Sequence, residues 1–130
     1  MKLTKTHETI LIILVALHSA IIGVVFMFAP NWLVRFGGWE GIDPVFFGRQ
    51  AGAFHLVLAV AYLIEYFNYD GIRILVMAKS FALIFLLVCT QVDHLPWAVP
   101  VSGAGDGLMA LFVWWVHRQV TGAQGAKSRE

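Results

Sequence analysis

Four stretches of this chain are each apolar over about the 20 residues that a helix needs to cross a bilayer. They run over residues 8–29, 44–67, 71–92 and 102–119, and a chain of 130 residues has too little remaining sequence to cover them all from water. In hydrocarbon every backbone N–H and C=O must find its partner inside the protein, which leaves helices or a closed barrel. The apolar runs are continuous rather than alternating, so they predict helices. The expected fold is therefore all-α: an integral membrane four-helix bundle forming a single domain over residues 1–130. Composition agrees, with 59% hydrophobic and 13% charged residues against about 45–50% apolar residues in ordinary soluble domains. No linker sets off a separate soluble catalytic domain, and a net charge of +1 without any dense basic run argues against a nucleic-acid partner.

The connections follow from punctuation. Residues 29–44, bracketed by Pro30 and Pro44, carry Trp32, Trp39 and the Gly37-Gly38 pair, and are expected to form an interfacial loop with tryptophans at headgroup level. The sequence NYDG at 68–71 predicts a tight turn, with the second and third helices as an antiparallel hairpin. Residues 93–103 form the third connection. The glycine-rich opening of the last helix suggests a tilted or partly unwound start. The apolar run at 10–28 is longer than the roughly 7–15 residues of a signal h-region and lacks a following A-x-A pattern, so it is expected to stay as a helix. Lys2, Lys5, Arg118, Lys127 and Arg129 flank the helices on the side of the termini, while the first long loop offers only Arg35 beside two acidic residues. The positive-inside rule then places both termini in the cytoplasm of a multi-pass protein of a cell membrane, such as a bacterial inner membrane.

Polar residues inside these helices are the candidate functional groups. Asp106 shares a helical face with Gly103, Gly107 and Ala110, a small-residue stripe that marks close packing against a neighbouring helix. An unpaired charge there costs at least about 2.5 kcal/mol, so a partner is expected. Arg49, roughly one turn inside the outer end of the second helix, is the first choice and His94 the second. With Gln50 these residues would line an outward-facing pocket able to hold a lipid or a quinone. Thr90, Gln91 and Asp93 close the third helix at the same level. Lys79 is expected to extend its stem to the inner surface, Glu65 and Arg73 to be solvated, and the lone Cys89 to be an inert thiol.

His55 lies on a face with Gly48, Gly52 and Ala59, and His18 on the first helix reaches a similar depth near the midplane. Two histidines from different helices would suit the two axial positions of a haem or another tetrapyrrole, and an alanine four residues before His55 is a spacing seen where helices hold bacteriochlorophyll. A third reading is a proton-coupled transporter acting through Asp106. The sequence lacks CxxC, HExxH, P-loop and GxSxG motifs, and no nucleophile and base stand together. The leading expectation is thus a non-catalytic accessory subunit that packs against partner membrane proteins or against itself.

The succession of four short helices, the RQAG element at 49–52 and the acidic residue within SGAGDGLMA at 102–110 together resemble the DoxX-like membrane proteins. The resemblance covers nearly the whole chain. It implies a four-helix bundle with Arg49 and Asp106 in its polar core. For function it implies little: the member that lends its name is a small subunit of a thiosulfate:quinone oxidoreductase, and most relatives have no assigned activity. Nothing in the residues points independently to sulfur chemistry.

Overall fold

The computed structural model describes residues 3–127, with side chains to Ala123. Lys2, Arg129 and the side chain of Lys127, used above to orient the chain, lie outside the described residues. Five helices follow one another: α1 (Lys5–Phe28), α2 (Pro30–Phe36), α3 (Phe46–Tyr69), α4 (Arg73–Asp93) and α5 (Ala98–Lys127). All but α2 are long and apolar enough to cross a membrane, and no strand occurs among the described residues.

The helix ends follow from local chemistry. Pro30 disfavours helical geometry at the residue before it, and Ala29 duly leaves the helix with φ −136° and ψ 51°. Pro30 then opens α2 at a position whose missing N–H is no loss. The expected loop at 29–44 is thus helical in its first half. It buries Pro30 and Val34 while leaving Trp32 and Phe36 exposed. Asn31 closes the remainder by accepting the backbone N–H of Ile42 at 2.8 Å. The NYDG turn is present, with Asp70 in the left-handed region at φ 51°. Glu65 is not simply solvated: its two carboxylate oxygens accept the backbone N–H groups of Arg73 (2.9 Å) and Ile74 (2.7 Å), covering orphan donors at the start of α4.

The last helix begins at Ala98 and runs unbroken through its glycines, with no unwound start. Pro100 sits in the first turn, where no N–H is required. The glycines admit close packing, since a Cβ on Gly107 would lie 2.7 Å from the Leu83 side chain.

Packing is uneven. α1 lies along α3, and α4 lies along α5, whereas the two pairs touch each other much less. The hairpin expected of the second and third spanning helices is therefore present as a turn but not as a packed pair. The reason lies in backbone approach: a Cβ on Gly52 would come within 2.7 Å of the Gly23 carbonyl oxygen and 2.8 Å of the Met27 nitrogen. α3 commits its glycine face to α1, and little of it is left for α4. Where the pairs do meet, Ile12, Val15, Tyr62, Tyr66, Ile72, Leu75 and Val113 form the core, near the end of the bundle that holds the NYDG turn. At the other end Phe36 packs edge-on against Trp97, with ring centroids 6.0 Å apart. Lipid tails are as apolar as these side chains, so dispersion and polar contacts, rather than the hydrophobic effect, hold such an assembly together.

Candidate functional site

Asp106 does have a basic partner, and it is Lys79. The Lys79 Nζ lies 2.6 Å from Asp106 Oδ1, and the side chains are 4% and 14% exposed. The register of α4 on α5 explains the pairing. Gly107 faces Leu83, and Leu83 lies about 15 Å along α4 from Arg73, near the middle of that helix. Lys79 is one turn nearer the start of α4, and its flexible stem covers that distance. Extending toward the helix start instead would leave Asp106 without this basic partner.

Arg49 and Gln50 take no part in this contact. Both are exposed at the start of α3, beside the buried Gly48, which faces Pro30 of α2, and Gly52, which faces α1. Because α5 begins at Ala98, Asp106 sits deeper than a helix start near residue 102 implies, beyond the level of Arg49. His94 is also exposed. It terminates α4 in the left-handed conformation, φ 48°, at the C-terminal end of the helix. Of Arg49, Gln50, His94 and Asp106, Asp106 alone is in the contact with Lys79.

The two histidines lie on the other helix pair. His55 is half-buried with its ring parallel to Phe26, centroids 6.3 Å apart. His18 is exposed on the surface of α1. The Lys79–Asp106 pair thus lies at mid-length of α4, with His55 half-buried on α3 and His18 exposed on α1 of the other helix pair. Ser19, also buried on α1, has a hydroxyl oxygen without a hydrogen-bond partner.

No family model matches the chain, and no curated protein or solved structure matches it.

Lysine has three N–H donors, of which Asp106 engages one. The others are suited to a carbonyl or hydroxyl oxygen. The pair is neutral overall, which favours an uncharged polar head over an anion or a cation. Among the described residues no group of three or more His, Cys, Asp or Glu side chains is placed to hold a metal ion. Cys89 is partly buried and free.

A second polar cluster went unread in the sequence. Glu8, in the first turns of α1, is fully buried at 0% exposure. Its Oε1 is 2.5 Å from His117 Nδ1 on α5, and its Oε2 is 3.0 Å from Lys5 Nζ. Lys5 also pairs with Asp70 and lies 4.7 Å from the Tyr66 ring centroid. The Tyr66 hydroxyl shares a 2.8 Å hydrogen bond with Thr9. A carboxylate close to basic residues near a helix end reads as an interfacial charge, and only the approach of α5, 109 residues away in the chain, buries it.

Proposed function

We propose that this chain is a small multi-pass membrane subunit, with both termini inside, that holds the uncharged polar head of a lipophilic molecule such as a quinone and works packed against another membrane protein. The observation that supports this reading is the Lys79–Asp106 pair, enclosed at mid-length of α4. Two well-packed apolar side chains would join α4 to α5 at least as well as a buried ion pair does. Charges inside a membrane are by default functional. Exposed polar side chains on the spanning helices, among them Gln50 and Gln91, support a protein neighbour on part of the outer surface. The outward placement of the 29–44 segment rests on the positive-inside rule.

The test is binding of a short-chain quinone to the protein in lipid nanodiscs, followed by tryptophan quenching. The parent protein should bind saturably, and the Lys79→Met/Asp106→Leu double variant, which removes both charges together, should not. Absence of saturable binding in the parent, or unchanged binding in the double variant, would refute the assignment. A Soret band in the purified protein that vanishes in His55→Ala would replace the quinone with a tetrapyrrole.

A further inference from the structure

We propose that Glu8 and His117 form a proton-sensitive clasp that sets how closely the two helix pairs approach at the inner end of the bundle. The contact joins α1 of one pair to α5 of the other, one turn beyond the core residues Ile12 and Val113, at the end where the pairs meet. Glu8 is fully enclosed and has two basic neighbours, Lys5 and His117. Lys5 divides its charge between Glu8 and Asp70. With His117 protonated, two positive groups face two carboxylates and the cluster is balanced. With His117 neutral, Lys5 alone faces both carboxylates, and the enclosed Glu8 shares that one counter-charge with Asp70.

Imidazole is the side chain suited to changing charge near neutral pH. A neutral His117 still donates its Nδ1–H to Glu8, so the hydrogen bond survives. What is lost is its charge assistance, which roughly doubles the strength of such a bond. Protonation of His117 therefore closes the clasp, and loss of that proton loosens it.

The other titratable groups around it are committed elsewhere. Tyr66 of α3 bonds Thr9, and Glu65 caps α4. Asp70 in the turn holds Lys5, and Arg73 of α4 is exposed. His7 of α1 is exposed and its Nδ1 accepts the Thr4 backbone N–H, while Arg118 of α5 lies over the Trp114 ring, 4.6 Å from its centroid. This clasp does not depend on what binds at mid-depth.

The experiment is a spin-label distance measurement in nanodiscs, in a Cys89→Ser background, between labels at Thr6→Cys and Gln119→Cys, two exposed inner-end positions on α1 and α5. The expected result is a narrow, short distance at about pH 6 and a longer component that grows severalfold by about pH 8.5. His117→Gln keeps a side-chain donor without a titratable charge and should give the same distribution at both pH values. Glu8→Gln should flatten the response as well, and decides the matter where His117→Gln does not fold. His7→Gln should leave the response intact. A parent distance that ignores pH, a response that survives in His117→Gln or Glu8→Gln, or a response lost in His7→Gln would each overturn the proposal.

Discussion

Replacing Asp106 with Asn should destabilise the bundle, and the size of the loss can be reasoned from the site. Asn preserves the shape but leaves Lys79, 4% exposed, charged and without its 2.6 Å partner. Removing one member of a buried pair costs about 3–5 kcal/mol in soluble proteins. In a bilayer the unfolded helices stay inserted and find substitute partners, which lowers measured polar contributions. We therefore expect about 2–3 kcal/mol, on the order of 30- to 150-fold in the unfolding equilibrium. Lys79→Met should cost a similar amount. The Lys79→Met/Asp106→Leu double variant, with neither charge left unpaired, should return to within about 1 kcal/mol of the parent. Unfolding by sodium dodecyl sulfate in mixed micelles, followed by the fluorescence of the five tryptophans, supplies the four corners of this double-mutant cycle. Arg49→Gln is the contrast, since the exposed Arg49 should change stability by no more than about 0.5 kcal/mol. An Asp106→Asn loss below about 0.5 kcal/mol, or a double variant no better than the sum of the singles, would refute the buried pair.

Other substitutions test the packing. Gly52→Val should separate α1 from α3, because the new side chain meets the Gly23 and Met27 backbones, which cannot rotate aside; a destabilisation of several kcal/mol in the same unfolding assay is expected. Gly105→Ala is its control: nothing lies within 4 Å of the added Cβ, and removing a helical glycine should stabilise by up to about 1 kcal/mol. Glu65→Ala should cost about 1–2 kcal/mol by uncovering the first amides of α4, and hydrogen exchange should quicken at Arg73 and Ile74 specifically.

The spanning helices were legible because length and apolarity are local properties, and Asp106 was legible as an interior charge because its helical face is set by spacing alone. Its partner was not. Choosing between Arg49 and Lys79 depends on depth, and depth moved when α5 proved to start at Ala98. Lysine adds a further ambiguity, since the same stem can extend to either side of its Cα by about a helical turn. The turn at Asp70 was readable from NYDG, yet whether the helices it joins pack together depends on a backbone contact between Gly23 and Gly52, which no single segment reveals. Glu8 was hidden for a related reason. Its burial is made by a histidine from the far end of the chain, and near Lys5 it looks like any interfacial carboxylate.

The division into two helix pairs also bears on how the chain is made. Each pair is contiguous in sequence, so α1 can settle against α3 before α4 has been synthesised. The one charge pair near mid-depth lies wholly within the second half, between neighbours separated by the short segment 94–97. Lys79 therefore has its counter-charge as soon as α5 is in place, whereas Glu8 of the first half gains His117 only when the two pairs meet.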